Sequence, residues 1–221
     1  MLRTRAVLVV LCLGGHSILP AGATAQDQVD VAVPSPDTLP RVQASGLVPG
    51  SPGYRFPSGG ERFGSWAVNA FGPSAVAGSV TSAAWGQWVS GEPPEWPGGG
   101  RGFAQRFGAA SLTTAITETT CFLLAAAERQ DARYYRCPRT GLGPRLTHAI
   151  GMTFMARRQD GSAAFSVAKT ASPFVGPLVT RTTIYPRRYT CGDGALSGLY
   201  AVLMNAGWNL AREFVLKAPG W

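Results

Sequence analysis

The chain has 221 residues, a formal net charge of +8 and 45% apolar residues, so it is long enough to form one domain with a hydrophobic core. It contains two histidines and four cysteines, and neither Cys-x-x-Cys nor Glu-x-x-His spacing occurs. This inventory excludes the common patterns of a metal site, and we predict neither a metal nor a cofactor.

The first 25 residues have the pattern of an export signal. Arg3 and Arg5 precede an apolar run at 6–13, and Ala23-Thr24-Ala25 fits a cleavage site of small residues. The apolar run is much shorter than the roughly 20 residues that a membrane span needs. We therefore predict a signal peptide at 1–25 and a protein exported to the periplasm or envelope membrane of a bacterium.

Residues 26–60 are rich in Pro, Gly, Ser and Val and show neither helical nor alternating periodicity. A segment of this composition buries too little apolar surface to order itself. We predict a disordered tether at 26–60, followed by a single helical domain at 61–217.

No charged residue occurs in residues 63–91. Pro73 predicts a break into two helices there, because proline lacks an amide donor and suits the first turn of a helix. Small residues recur at every fourth position, which predicts one helix face that a second helix can approach closely. They are Ser74, Gly78, Ser82 and Gly86. We expect the fold to be organised around this glycine-zipper pattern.

The same spacing continues along the chain. Helices are predicted at 101–130 and 145–158, and a last, uncharged helix is predicted at 194–211. Further small residues at every fourth position are Ala109, Thr113, Thr117, Cys121 and Ala125; Ala164, Ala168, Ser172 and Gly176; and Gly194, Gly198, Val202 and Ala206.

Residues 153–167 have two interpretations. Asp160-Gly161 suits the turn of a β-hairpin, whereas the small-residue spacing that runs through the segment favours a helix. We favour the helix, interrupted at Pro173 and Pro177. The segments together predict an all-α fold, a compact bundle of about four to six Gly/Ala/Ser-rich helices after a disordered N-terminal segment.

Three cysteines follow the predicted signal peptide. Cys121 lies in a helical pattern, which is typical of a buried thiol. Cys137 and Cys191 lie in loop-like sequence flanked by Pro or Gly. Because export permits disulfides, Cys137 and Cys191 form the candidate pair.

Candidate binding residues are polar or aromatic positions near predicted helix ends or faces, and we assign no catalytic residue. They are Trp96, Glu118, Tyr135, Arg145 and His148. His148 is the one histidine after the signal peptide, and no Gly-x-Ser-x-Gly elbow accompanies it. A structural histidine in a helix interface is therefore favoured over a catalytic one.

Glu118 interrupts an uncharged helix face and has two interpretations. With Glu95 or Glu128 it would supply the paired carboxylates of a glycoside hydrolase, which gives an envelope hydrolase as one alternative function. The simpler interpretation is an ion pair with an arginine such as Arg106 or Arg145.

Six short motifs follow one another along the chain: Pro94-Glu95-Trp96, Tyr134-Tyr135, Arg145 with His148-Ala149, Arg157-Arg158-x-Asp160-Gly161, Tyr185-Pro186 and residues 209–214. In this order they resemble a group of exported bacterial proteins of unknown function with small-residue-rich helices. The resemblance covers about residues 60–217 and implies no activity. It implies a continuous helix where Ser172-Pro173 and Gly176-Pro177 stand, so the chain departs from the pattern there.

The uncharged stretches and small-residue faces favour a membrane-associated helical protein with a structural or assembly role. A soluble periplasmic binding module is the alternative, because the same faces would also pack an ordinary core. Membrane lipid, an envelope protein or a second copy of the chain are the expected partners. Export disfavours nucleic acid, although Arg129, Arg133, Arg136 and Arg139 form a basic stretch.

Overall fold

The structure is a computed structural model that describes residues 54–215. The predicted signal peptide at 1–25 and residues 26–53 of the predicted tether lie outside the described residues. The fold includes residues before the predicted boundary at 61, because the ring of Tyr54 lies 6.0 Å from that of Tyr135.

The described residues are mostly helical and form a compact helical bundle, which confirms the predicted fold class. A small three-stranded antiparallel sheet is added to it. The helices are α1 (Gly59–Phe71), α2 (Pro73–Ala84), α3 (Gly99–Ala127), α4 (Leu142–Gly151), α5 (Val167–Thr183) and α6 (Cys191–Phe214), and the strands are β1 (Gln130–Asp131), β2 (Met155–Arg158) and β3 (Ala163–Phe165).

The break between α1 and α2 lies where the sequence predicts it. Gly72 closes α1 through its amide, which donates to Val68 O at 2.9 Å, and Pro73 begins α2. Since a proline in the first turn needs no amide partner, the chain changes direction there without losing a hydrogen bond. A π-helical turn, Trp85–Ser90, extends α2.

The long helices lie in an antiparallel row. Trp66 on α1 donates to Thr119 Oγ1 at 3.1 Å, whereas Gly86, in the π-helical turn that extends α2, lies beside Arg106 near the start of α3. The α1–α2 pair therefore runs antiparallel to α3. Helix α5 packs against both α3 and α6, and α4 packs against α6.

The closest helix contacts are those of α5. A methyl group added at Gly176 would overlap the Thr113 carbonyl oxygen and the Thr117 hydroxyl of α3. On α6, a methyl group at Gly194 would lie 2.9 Å from Leu178 Cα, and one at Gly198 would lie 2.9 Å from Phe174 Cα. Glycine at these three positions is what allows the backbones to approach.

The prediction that residues 63–91 organise the fold is wrong. No atom lies within 4 Å of where a side chain at Gly78 would begin, and Ser74 and Ser82 are exposed. Helix α2 instead buries Ser79 and Ala83. The centre of the bundle is formed by α3 and α5: α3 contacts α1, α2 and α5, and α5 contacts α3 and α6.

The prediction of a helix through residues 153–167 is also wrong, since β2 and β3 form a hairpin. Gly161 has φ +81°, a backbone conformation that glycine adopts without strain. Asp160 Oδ1 accepts from Ser162 N at 2.9 Å and from Ser162 Oγ at 2.6 Å. These local bonds compete with helix formation.

Helix α5 runs unbroken through Pro173 and Pro177, which corrects the predicted interruptions. Both prolines are buried. The packing of α5 between α3 and α6 outweighs the loss of two amide donors, as tertiary contacts can override local preference.

The predicted disulfide is absent from the described fold, in which Cys121, Cys137 and Cys191 are all free. Cys191 begins α6, and the amide of Cys137 donates to Glu213 Oε2 at the other end of the same helix. At 1.5 Å per residue these ends are about 33 Å apart. This separation far exceeds the reach of a disulfide.

Among the apolar residues, most of the buried ones are small, whereas many of the large ones are exposed. The buried apolar residues are Ala70, Ala83, Ala109, Ala125, Ala149, Met152, Ala156, Ala168 and Val202. In contrast, Trp88 is 73% exposed, Leu123 59% and Leu203 58%. A typical soluble domain buries Leu, Ile, Val and Phe side chains more often than this fold does.

Candidate functional site

At one end of the bundle Asp131 is almost fully buried in a ring of donors. Arg133 Nε donates to Asp131 Oδ1 and Arg133 Nη2 to Oδ2, both at 3.0 Å. The hydroxyl of Tyr54 donates to Oδ2 at 3.3 Å, and that of Tyr135 also donates to it. Burial acts to raise the pKa of Asp131, but the hydrogen bonds from Arg133 and Tyr135 outweigh it and hold the pKa below its ordinary value.

The buried guanidinium of Arg157 completes this Asp131 cluster, which comprises Tyr54, Asp131, Arg133, Tyr135 and Arg157. Its central carbon lies 4.4 Å from the ring centre of Tyr135 and 5.5 Å from that of Tyr54. Burial, with the nearby Asp131 carboxylate, raises the pKa of Tyr54 to about 12. The cluster fastens the N-terminal segment to β1 and β2.

A second buried carboxylate, Glu213, lies at the same end of the bundle. Its Oε2 accepts from Tyr134 OH at 2.7 Å and Cys137 N at 3.2 Å, and its Oε1 accepts from Arg145 Nε at 2.8 Å. Burial acts to raise the pKa of Glu213, but the bonds from Arg145 and Tyr134 outweigh it and lower the pKa. The contacts join α4 and the loop before it to the end of α6.

Three predicted site residues, Tyr135, Arg145 and His148, lie together at this end. His148 Nε2 forms a 2.8 Å hydrogen bond with Tyr135 O, and its ring meets Tyr134 edge-on. Each of the three makes hydrogen bonds within the fold, so their arrangement favours a structural role over ligand binding. The structural interpretation of His148 fits this geometry.

Trp96 lies at the opposite end. Its ring is 4.9 Å from that of Tyr185, and the guanidinium of Arg106 lies 5.8 Å from its ring centre. Arg106 is buried and donates to Glu92 O at 2.9 Å, Gln87 Oε1 at 2.8 Å and Pro93 O at 2.8 Å. It therefore fixes the loop between the π-helical turn and α3.

Beside Arg106 a polar depression encloses about 140 Å³, and we call it the arginine pocket. Arg181 stands in its wall with its guanidinium 4.0 Å from the ring centre of Tyr185 and 5.0 Å from that of Tyr189. The lining residues are Ser82, Trp85, Gly86, Ser90, Glu92, Pro93, Arg106, Arg181 and Tyr185.

Glu118 lies on α3 and has Asn69 as a hydrogen-bond partner and Arg212 as a charged neighbour. The predicted ion pairs with Arg106 and Arg145 are not formed among the described residues. Glu128 follows the last residue of α3, ten residues and about 15 Å from Glu118, and it caps α5 by accepting from Val167 N at 3.0 Å. Glu95 lies before the first residue of α3, whereas Glu118 is about 28 Å along that helix. Neither glutamate is therefore brought next to Glu118 as the second carboxylate of a hydrolase.

Sequence reasoning missed four residues that dominate these clusters: Asp131, Arg157, Arg181 and Glu213. Asp131 directly follows the helix predicted at 101–130, and the structure buries it. The Arg and Tyr residues at 133–136 are the sequence signal for these clusters, because Arg133 and Tyr135 donate to Asp131 and Tyr134 donates to Glu213. Between residues 54 and 215, no group of three His, Cys, Asp or Glu side chains could hold a metal ion.

One described helix, α3, is long and apolar enough to cross a membrane by length and composition. Only 11% of its most apolar window is buried in the fold. No protein-family model, curated protein or solved structure matches the chain. The resemblance to exported bacterial proteins stays a prediction.

Proposed function

We propose that the protein is a helical bundle embedded in the bacterial envelope membrane, where it has a structural or assembly role. The observation that carries the proposal is the distribution of apolar side chains: most of the buried ones are small, and many of the large ones are exposed. In lipid, burying a large apolar side chain between helices gains little, so small residues and close backbone contact drive packing instead.

The interior supports this proposal because it would give little stability in water. Seven of its nine buried apolar residues are alanine, and apolar burial contributes only about 25 cal/mol per Å². Close contacts at Gly176 and Gly198, and the 2.8 Å hydrogen bond between Thr113 and Thr180, join the helices instead. Hydroxyl bonds of this kind also join helices in lipid.

The placement of charge supports the proposal as well. Residues 63–91, 170–180 and 194–211 are uncharged, and Glu118 is the one charged residue in 107–127. The run at 194–211 extends for about 27 Å as a helix. This length is close to the roughly 30 Å hydrocarbon thickness of a bilayer.

Aromatic residues mark both ends of this uncharged band. Trp96, Tyr185 and Tyr189 cluster at one end, and Tyr54 and Tyr135 cluster at the other. Tryptophan and tyrosine favour the interface between lipid and water, because their rings are apolar and each carries a polar group.

Fractionation of the native host tests the proposal. We expect the protein to remain with the membrane pellet after washes at high salt and at alkaline pH, and to leave it only with detergent. Release by osmotic shock, together with a single sharp elution peak in the absence of detergent, would contradict it. That result would favour the soluble periplasmic binding module.

A further inference from the structure

The arginine pocket lies where three separate parts of the chain meet. The end of α2 and the π-helical turn form one wall, the loop before α3 forms the second, and the end of α5 forms the third. Hydroxyl groups of Ser82, Ser90 and Tyr185 line it together with two arginines. Its lining is therefore suited to a polar ligand.

The first arginine, Arg106, supplies a fixed positive charge. All of its hydrogen bonds go to neutral oxygens: four backbone carbonyls and the side chain of Gln87. It takes part in none of the ion pairs found among residues 54–215. A buried cation without a carboxylate partner favours an anion nearby.

The second arginine, Arg181, is positioned by stacking. The rings of Tyr185 and Tyr189 cover its guanidinium, and it too is absent from the ion pairs of residues 54–215. Stacking on the faces leaves the N–H groups at the edge of a guanidinium available to a planar or tetrahedral oxyanion. Asp193 caps α6 by accepting from Thr190 N at 2.8 Å. The hydrogen bonds from Thr190 hold the pKa of Asp193 below its ordinary value, and the charge of Arg181 makes a smaller contribution.

The acidic groups at this end are already engaged. Glu92 Oε2 accepts from Tyr189 OH at 2.6 Å and from Arg188, and Arg188 Nε also lies 2.8 Å from Glu95. Burial, with the Glu92 carboxylate, raises the pKa of Tyr189 to about 12, so this hydroxyl stays protonated at neutral pH. The pocket lining itself holds two arginines, Arg106 and Arg181, and one glutamate, Glu92, which leaves it a net charge of +1 (2 − 1).

We propose that the arginine pocket binds a phosphate group, with the edge of the Arg181 guanidinium as its main donor and the hydroxyls of Ser90 and Tyr185 as further donors. Arginine pairs with phosphate through two parallel N–H···O bonds. These charge-assisted bonds are stronger than those that the neutral hydroxyl groups of the lining can donate. A volume of about 140 Å³ exceeds the roughly 30 Å³ share of one water several times over, so a tetrahedral oxyanion fits.

The phosphate group has two possible sources. An anionic phospholipid headgroup would reach the pocket from the surface of the membrane, whereas inorganic phosphate or a soluble phosphate ester would reach it from water. The inference goes beyond the proposed function and does not depend on it, since a soluble protein with this pocket would bind free phosphate.

Calorimetric titration of the purified full chain with inorganic phosphate is the first test. We expect Arg181→Gln to weaken binding about tenfold or more, because it removes a charge-assisted hydrogen bond. Arg187→Gln is the matched control: it removes the same charge from an exposed position that is not part of the pocket lining, and it should bind like the natural protein. Measurable phosphate binding with equal affinity in the two variants would overturn the proposal.

Lipid retention distinguishes the two sources. The natural protein and Arg181→Gln are reconstituted with phosphatidylglycerol or with a neutral glycolipid that lacks phosphate, and bound lipid is measured by mass spectrometry. Retention of phosphatidylglycerol alone, lost in Arg181→Gln, supports the headgroup as the source, whereas binding of inorganic phosphate alone supports a soluble ligand. Failure of both probes to bind overturns the proposal.

Circular dichroism shows whether Arg181→Gln is folded. If it is not, the double variant Ser90→Ala and Tyr185→Phe decides, because it keeps the ring beneath Arg181 and removes only two hydroxyl donors. A severalfold loss of affinity in this variant supports the site. Unchanged affinity overturns it.

Discussion

Helices α2 and α5 both carry small residues at every fourth position, but they use them differently. On α5 the small face lies against α3, where Gly176 meets the backbone of Thr113. On α2 the predicted face is open, and no atom lies within 4 Å of a side chain added at Gly78. The comparison teaches that small-residue spacing makes close packing possible, whereas the position of the neighbouring helices decides whether it occurs.

The largest expected effect concerns the exposed faces of the bundle, because it shows whether the close packing on α5 takes place in a membrane. Leu203 and Leu142 are both exposed leucines, but they lie in different parts of the bundle. Leu203 lies in the uncharged band of α6, whereas Leu142 begins α4. In a membrane, Leu203→Lys should cost about 2.5–3.5 kcal/mol of insertion free energy, whereas Leu142→Lys should cost little.

The yield of each variant in the membrane fraction measures this effect. In a soluble protein both substitutions would change the stability by less than about 0.5 kcal/mol, because both side chains are exposed. Equal yields of Leu203→Lys and Leu142→Lys would therefore contradict the embedded arrangement, and would leave close packing on α5 as a feature of an ordinary core.

The two small-residue faces are compared directly by Gly176→Ala and Gly78→Ala. Gly176→Ala forces a methyl group onto the Thr113 carbonyl oxygen and should destabilise the fold by about 1–3 kcal/mol. Gly78→Ala adds a methyl group in open space within a helix, so it should stabilise the fold by up to about 1 kcal/mol. Thermal unfolding in one buffer gives both signs.

Changes of the same sign in the two alanine variants would contradict this account. A loss in both would mean that the face of α2 is covered by a partner that the bundle alone does not contain. A gain in both would mean that α3 and α5 are free to move apart at Gly176.

Local signals predict the fold well where the deciding contacts are close in sequence. Pro73 marks the break between α1 and α2, and the spacing of Gly194 and Gly198 identifies the buried face of α6. At Asp160-Gly161 the turn chemistry indicates a hairpin, whereas the longer small-residue spacing favours a helix. A four-residue spacing places residues on one face only where the backbone is helical. The hydrogen bonds from Ser162 to Asp160 favour a turn at this point, so the helical pattern does not continue through it.

The candidate site depends on contacts that are distant in sequence, and this is why most of it could not be predicted. Asp131 reads as an exposed residue at a helix end, yet Tyr54, 77 positions away, covers it. Nothing near Arg181 in sequence shows that the end of α2 and the loop before α3 pack beside it. Of the predicted residues, Trp96 lies nearest the arginine pocket, through its contacts with Tyr185 and Arg106.

Acid should weaken the contacts of the buried carboxylates Asp131 and Glu213, whereas it should not affect the small-residue contacts between the helices. The folded state holds the pKa values of Asp131 and Glu213 below their ordinary values of about 4. A carboxylate with a lowered folded pKa contributes stability that is present above its unfolded pKa and is lost as the pH falls through the folded pKa. We therefore expect the melting temperature to fall on acidification below about pH 4.

Asp131→Asn makes this prediction specific. It should lower the melting temperature most at neutral pH, where the natural carboxylate is charged and bound by Arg133, and the deficit should shrink in acid as that carboxylate takes up a proton. The deficit of Gly176→Ala should instead be the same at every pH, because no titrating group lies in that contact. If the melting temperature of Asp131→Asn differs from that of the natural protein by the same amount at every pH, Asp131 acts through its shape alone. The small-residue contacts of α5 would then stabilise the bundle without a contribution from the charge of Asp131.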